Sequence, residues 1–285
     1  MDAKDLKTLK PDALSPAEIA GKAEDVGAVK AQMPLGQTFL LAVMAGIFIG
    51  FGGMFMLLIK SDAALSPAVA AILGGLAFCT GLFLVITAGA ELFTGNALMM
   101  VGRLSRRFSW RGMLRNWVVV YLGNFAGALL LVALLFFADY AQTNTGALGA
   151  TMLTVAAGKI GQPWSVLLFK GIMCNFLVCL AVWVAYAART VTDKFFAILL
   201  PITAFVACGF EHCVANMFFL PMGWLTGQAG QGLVADGATL PVVELSGVFY
   251  NLSIVTVGNI IGGALFVGVA YWLIYRREGR KGGGS

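Results

Sequence analysis

Two polar strings interrupt long apolar stretches of this chain, and both contain residue types that could act on a solute. Residues 89–96 read GAELFTGN and include Thr94, and residues 209–216 read GFEHCVAN and include His212, the only histidine. A hydroxyl and an imidazole can donate hydrogen bonds, and an imidazole can also exchange a proton near neutral pH. Polar groups at membrane depth are costly and tend to mark a path for a solute. We therefore expect Thr94 and His212 to line such a path.

Both residues also have structural alternatives. Thr94 could bond to a carbonyl of its own helix, and His212 could be a buried neutral imidazole bonded to one backbone carbonyl. The break in a membrane segment favours a role in the path for His212. Ionised Glu91 and Glu211 would repel an anion that they faced, so we expect their carboxylates to accept N–H bonds from the broken loops.

Each break should also start a new helix near the membrane centre. Gly95 favours a loop, and Asn96 can cap the helix that follows. The free N–H groups and positive dipole at a helix start favour an anion. Residues 215–216 repeat this arrangement in the second string.

Lysines and aromatic residues near these strings could guide or narrow the path. Lys170 lies about two turns inside a predicted span, ~10 Å from its start, where it could snorkel outward or attract anions into an outer vestibule. Lys159, in the preceding predicted loop, is the more flexible candidate for that attraction. Phe78, Phe93 and Phe205 are ordinary core or lipid-facing residues unless they point inward, where they would form a dewetted constriction.

The elements that position these residues are membrane spans. The chain is 59% hydrophobic and 12% charged, with a mean hydropathy of +0.87, which is outside the range of soluble domains. We predict an all-α polytopic membrane protein with about six spans, of which the second and fifth continue beyond their breaks as half-helices. The predicted spans are residues 38–59, 68–87, 116–137, 164–187, 195–208 and 251–275.

Basic residues near the span ends predict the orientation. Three groups should lie in the cytoplasm, namely Arg103, Arg106, Arg107, Arg111 and Arg115, then Arg189 and Lys194, then Arg276, Arg277, Arg280 and Lys281. The opposite loops contain few bases, so both termini are predicted in the cytoplasm and the protein in the cytoplasmic (inner) membrane. The net charge of +5 is then mainly a topology signal and does not indicate a nucleic-acid partner.

The chain divides into three segments. Residues 1–33 should form an amphipathic helix at the cytoplasmic surface, with a helix start at 15–18. Residues 34–278 form the channel domain, and 279–285 form a tail that ends in a linker. The string GNFAGALL at 123–130 is echoed by GNIIGGAL at 258–265. The halves, about 34–140 and 160–278, should therefore form an inverted three-plus-three repeat.

The composition of the chain gives no sign of a cofactor. All five cysteines fall within or beside predicted spans, and neither a zinc nor a haem arrangement is recognisable. We expect no metal, no cofactor and no disulfide framework.

Three strings resemble signatures of the formate/nitrite transporter family: residues 89–95, residues 171–181 (GIMCNFLVCLA) and residues 209–217. The resemblance covers nearly the whole chain and implies an aquaporin-like protomer in a homopentamer, with one pore per subunit. It makes Thr94 and His212 the central pair, and Lys159 the outer attracting residue. It assigns one constriction to Phe78 and Leu82, the other to Phe205, and the histidine network to Glu211, Asn175 and Asn259.

The expected function is transport of a small monovalent anion, formate first, with possible proton coupling at His212. Nitrite is the runner-up, and hydrosulfide, acetate and lactate stay open. An aquaporin-type channel for neutral solutes would fit the same fold, although the chain has no Asn-Pro-Ala string. An enzyme is not expected, because no nucleophile is paired with a base.

Overall fold

The computed structural model describes residues 13–230 and 241–277, and all regular elements in these ranges are helical. Predictions for residues 1–12 and for the tail at 279–285 lie outside the described residues. In chain order, the helices are α1 (Pro16–Gln32), α2 (Leu35–Lys60), α3 (Pro67–Thr87), a 3-10 turn (Gly95–Leu98), α4 (Met99–Leu104), α5 (Trp110–Phe137), a 3-10 turn (Tyr140–Gln142), α6 (Ala147–Ile160), α7 (Trp164–Ala187), α8 (Val191–Ala207), α9 (Cys213–Gln228), α10 (Leu245–Ile260), a π-helical stretch (Ile261–Val269) and α11 (Ala270–Tyr275).

Five helices are long and apolar enough to cross a membrane: α2, α3, α5, α7 and the continuous helix Leu245–Tyr275. Each contains one predicted span. Several begin earlier than predicted because polar residues cap their first turns: the hydroxyl of Ser66 accepts the N–H of Val69, and that of Ser109 accepts the N–H of Gly112. The predicted span at 195–208 corresponds to α8, which has only 17 residues.

Two helices end inside the apolar region, as the strings predict. Gly89 follows α3 with a φ of +78°, and Gly209 follows α8 with a φ of +67°. This left-handed conformation favours glycine, so both glycines end a helix without strain. After the breaks, the chain resumes as the 3-10 turn and α4 in the first half, and as α9 in the second half.

The repeated glycines bring pairs of helices into close contact. A Cβ atom added at Gly127 would lie 2.0 Å from the carbonyl oxygen of Val43, and one added at Gly262 would lie 2.1 Å from that of Ile172. Gly127 therefore packs α5 against α2, and Gly262 packs the helix after α10 against α7. The small-residue faces are thus covered within one chain, so they do not require a partner subunit.

Two elements differ from the sequence prediction. Lys159 lies in the last turn of helix α6 and not in a loop, because Leu148, Met152 and Ala156 form an apolar face of this helix that is buried. Helix α1 begins at the predicted start, where Ser15 and Glu18 form a capping box. Unlike a helix that only lies on a membrane surface, α1 packs on α4, α5 and α7.

Candidate pore site

The two breaks bring Thr94 and His212 together. Thr94 Oγ1 and His212 Nε2 lie 2.9 Å apart, and the two residues are 0% and 3% exposed. The ring of Phe205 stacks on the imidazole, with centroids 5.9 Å apart. In the described part of the chain, the Thr94 hydroxyl is bonded to His212 and not to its own helix. The predicted central pair is therefore present as a direct contact.

The backbone of α9 determines which nitrogen of His212 carries the proton. His212 Nδ1 accepts the N–H of Ala215 at 3.1 Å, so the histidine side chain caps the helix. A nitrogen that accepts a hydrogen bond is unprotonated, so the neutral ring carries its proton on Nε2 and donates it to Thr94 Oγ1. If Nδ1 were protonated, its N–H would face the N–H of Ala215, and neither group could accept the other's hydrogen bond. The geometry therefore favours a histidine that holds a hydrogen bond over one that releases a proton.

Two asparagines hold the broken loops with the same three bonds. Asn124 accepts the N–H of Phe93 at 2.9 Å and donates to the carbonyls of Ala42 and Glu91, both at 2.8 Å. Asn259 accepts the N–H of Cys213 at 2.8 Å. It donates to the carbonyls of Gly171 at 2.8 Å and Glu211 at 2.9 Å. Asn259 was an expected network residue and Asn124 was not, although both occupy the same place in the repeated string.

The predicted network residue Asn175 supports the first break. Its Nδ2 donates to the carbonyl of Thr94 at 3.2 Å and to that of Asn259 at 2.7 Å. Cys179 Sγ lies 3.4 Å from the same Thr94 carbonyl. Asn175 therefore connects the two halves through the carbonyls of Thr94 and Asn259, and its hydrogen bonds in the described residues do not include His212.

Each glutamate forms a cluster with one asparagine and one lysine. Glu211 accepts Asn216 Nδ2 at 2.6 Å and Lys159 Nζ at 3.0 Å. Asn251 completes this cluster by accepting from Asn216 at 2.8 Å and donating to the Lys159 carbonyl at 3.0 Å.

The first half contains the matching cluster, at the opposite side of the molecule. Glu91 accepts Asn96 Nδ2 at 2.7 Å and forms an ion pair with Lys30 of α1. Asn116 accepts from Asn96 at 2.8 Å and donates to the Lys30 carbonyl at 3.3 Å. Lys30 was not among the expected site residues, because it lies outside the repeated spans.

The prediction for both carboxylates is confirmed for one partner and missed the other. Glu91 and Glu211 each accept a side-chain N–H from an asparagine of their own broken string, Asn96 and Asn216, and each also binds an ammonium that the sequence did not indicate. Asn124 and Asn259 already occupy the loop backbone, and a buried carboxylate is better compensated by a cation.

Two vestibules approach the central pair from opposite sides. The α1-side vestibule, a cavity of about 180 Å³, is lined by Lys30, Leu82 and Glu91 among others. The far-side vestibule, at the end of the molecule that contains Lys60 and Lys159, has a volume of about 310 Å³ and reaches His212. Leu82 thus lines the α1 side alone, so the expected grouping of Phe78 with Leu82 in one constriction is wrong: Phe78 lies with Phe205 on the far side.

The remaining aromatic and lysine candidates divide between the vestibules and the packing around them. Phe78 and Phe205 meet edge to face at 5.6 Å and line the far side. Lys170 also lines it and donates to Gln162, so it points inward and does not snorkel. Phe93 packs against Trp117 and Tyr121 and lines neither vestibule; its part in a constriction stays a prediction.

The protein has several apolar spans, two of which are broken inside the molecule, and a buried polar pair lies between its two vestibules. These features define a multi-pass membrane protein of the channel or transporter class. The profile of the formate/nitrite transporter family matches residues 17–273. The chain belongs to the formate/nitrite transporter family.

Known members are similar over most of their length. The formate channel FocA of Escherichia coli strain K12 is 39% identical over 274 residues, which cover 94% of this chain and 96% of that protein. The nitrite transporter NirC of Salmonella typhimurium strain LT2 is 35% identical, covering 89% of this chain and 88% of that protein. A solved pentameric formate channel with formate bound is 38% identical, with a TM-score of 0.74, and the match covers 85% of this chain and 97% of that one.

Proposed function

We propose that this protein transports a small monovalent anion, formate first, between its two vestibules and past Thr94 and His212. The observation that carries the proposal is the buried 2.9 Å contact between these side chains at the meeting point of the two breaks. The names of the related FocA and NirC proteins, a formate channel and a nitrite transporter, support the same substrate class. Nitrite is the second candidate.

The central pair can stabilise an anion where water is excluded. Phe78, Leu82 and Phe205 are almost fully buried and remove water from either side of the pair. Nε2–H of His212 donates to Thr94, which leaves the hydroxyl proton of Thr94 free to point at the solute. A desolvated anion is costly, so one well-placed donor has a large effect here. The imidazole orients this donor and stays neutral.

We place the α1 side in the cytoplasm. Arg107 pairs with Asp25 of α1, Arg276 pairs with Glu24, and Arg115 donates to two carbonyls at the end of α1 and beyond it. The basic loops and α1 thus lie on one side, and basic loops are normally cytoplasmic. With this orientation, we propose that the protein lies in the cytoplasmic membrane and that the far-side vestibule opens to the outside.

The assembly that we propose is a homopentamer with one complete path per subunit. The central pair and both vestibules are built within one chain, and the solved relative is a pentameric channel. Native mass spectrometry in mild detergent should give five chains. Stable monomers under the same conditions would contradict the assembly but not the path.

A flux assay separates the substrate classes. Purified protein in liposomes should take up labelled formate and nitrite, and it should not speed glycerol-driven swelling. The matched control is the Thr94→Val protein, which has a similar shape but no hydroxyl. Swelling with glycerol and no anion uptake would make this a neutral-solute channel.

A further inference from the structure

We propose that the far-side vestibule is a binding site for a small divalent oxyanion, which occupies the mouth of the path and does not pass through it. Lys60, Lys170 and Gln162 form the site. Binding itself does not depend on the transported substrate, but the expected competition with formate rests on the proposed function.

The two vestibules differ in charge. The described lining of the far-side vestibule contains the ammonium groups of Lys60, Lys159 and Lys170 and the carboxylate of Glu211, which leave a net charge of +2 when His212 is neutral. The α1-side vestibule pairs Lys30 with Glu91 and is balanced. The positive excess is therefore found at one vestibule and not at the other.

Lys60 is the lysine whose charge is least compensated. In the described residues, its ammonium has no hydrogen bond or ion pair, although it lines the vestibule. Its stem passes over Gly74 of α3, where an added Cβ would lie 3.8 Å from Lys60 Cε. The nearby Asp62 does not neutralise it, because that residue lines a different cavity and its carboxylate accepts the N–H of Ala64 at 2.9 Å.

The other two lysines have different kinds of partner. Lys159 pairs with Glu211 at 3.0 Å, which compensates its charge. Lys170 donates to the neutral Oε1 of Gln162 at 2.8 Å, which positions the ammonium but leaves its charge intact. Gln162 is itself oriented through a 3.1 Å bond from Nε2 to the carbonyl of Gly158. Lys60 and Lys170, neither of which forms an ion pair in the described residues, therefore line one cavity beside the paired Lys159.

This arrangement suits a dianion and also stops it there. Each uncompensated ammonium attracts a dianion about twice as strongly as a monoanion at the same distance. Between the vestibule and the other side, Phe78 and Phe205 close the path, and the Thr94 hydroxyl is the donor that follows them. The desolvation cost of an ion rises steeply with its charge, so passing these rings costs a dianion more than a monoanion. The vestibule thus holds a dianion that the constriction excludes.

The direct test measures binding of labelled sulfate to the purified oligomer in nanodiscs at low ionic strength. We expect one saturable class of sites, one per chain, which weakens on adding salt. Lys60→Gln and Lys170→Gln should each lower the affinity by about tenfold or more, and Lys60→Arg should retain it. Lys194→Gln, at the start of α8 on the opposite side, is the matched control and should bind like the parent.

The transport arm uses the same proteins in liposomes. Sulfate on the far side should raise the half-saturating formate concentration, and this effect should be lost in Lys60→Gln and Lys170→Gln. Labelled sulfate should not enter the vesicles. Size-exclusion chromatography checks the assembly of each variant, and Lys60→Arg reports on Lys60 if the glutamine variant does not assemble.

The outcomes separate the two proposals. Absence of saturable sulfate binding, parental affinity in both glutamine variants, or entry of sulfate into vesicles would overturn the dianion site. Saturable, lysine-dependent binding in a protein that carries no formate would support the site and contradict the proposed transport function.

Discussion

At the residue scale, the two ring nitrogens of His212 make the contacts that matter most for the path. One ring nitrogen caps α9 through Ala215, and the other holds the Thr94 hydroxyl. A helix start thereby fixes the protonation state of a residue in the path. The sequence suggested an imidazole that exchanges protons, whereas the contacts favour one that orients a neighbouring donor.

The Thr94 hydroxyl can be tested by an isosteric change. Thr94→Val should lower formate flux by roughly tenfold or more, because loss of a buried hydrogen-bonding group costs about 1–3 kcal/mol and each 1.4 kcal/mol is a factor of ten in rate. Thr94→Ser should retain most of the flux. Uptake of labelled formate at equal protein density measures both, and parental flux in the valine variant would remove the hydroxyl from the mechanism.

Because His212 is expected to stay neutral, its replacement should lower the flux by the same factor at every pH. His212→Asn keeps a good helix cap but cannot hold the hydroxyl in the same way, so flux should fall at all pH values without a change in the shape of its pH profile. His212→Leu should in addition lower stability by about 1 kcal/mol through loss of the cap. Flux measured from acidic to alkaline pH tests this, and a flattened profile in the asparagine variant would show that the imidazole titrates.

At the element scale, α1 acts as a strap across its side of the molecule. Glu24 is 2% exposed, accepts Arg276 Nε and Nη2, both at 2.7 Å, and also accepts the hydroxyl of Ser105. The hydrogen bond to Glu24 raises the pKa of Arg276, so the guanidinium stays charged in neutral solution. Helix α1 also places Lys30 against Glu91, which lines the α1-side vestibule. The position of α1 therefore affects the lining of that vestibule.

Removal of the Glu24 carboxylate should therefore loosen α1. Glu24→Ala leaves Arg276 and Ser105 without their shared acceptor and should lower stability by about 1–3 kcal/mol. Hydrogen exchange should rise across α1, as measured by mass spectrometry. Asp25→Ala is the matched control, because Asp25 is exposed and its pair with Arg107 is worth little. Equal protection of α1 in both variants would contradict the strap.

At the scale of the whole molecule, the two halves repeat one design on opposite sides. A glycine ends a helix, an asparagine holds the broken loop, and a cluster of glutamate, asparagine and lysine borders each vestibule. The copies differ where α4 has six residues and α9 has sixteen. The two vestibules also differ in charge, so an anion meets a more positive surface at the far-side end of the path than at the α1-side end.

The orientation can be tested with single cysteines in a background that lacks the native ones. Ala64→Cys lies beyond α2 on the far side, and Thr192→Cys lies at the start of α8 on the α1 side; both positions are exposed. An impermeant thiol reagent outside intact cells should label only Ala64→Cys. Labelling of only Thr192→Cys would invert the proposed orientation.

The sequence by itself determined the membrane class and the position of both breaks. Both follow from local signals, because apolar length predicts spans, and glycines beside polar residues in an apolar segment indicate a break that must be stabilised. The central pair of Thr94 and His212 was implied by the resemblance to the family. The resemblance to the family placed Asn259 in a network around the histidine, whereas its bonds to the second broken loop were found only in the structure.

Only the tertiary structure decided which partners these residues have. Lys30 contacts Glu91, 61 residues away, and Lys159 contacts Glu211, 52 residues away. No local pattern reports such pairings, because they depend on how α1 and α6 pack across the breaks. The same holds for Lys60, whose place in the far-side vestibule depends on where α2 ends relative to α6 and α7. The sequence specified the polar groups, and their partners and charge balance arise from the packing of distant helices.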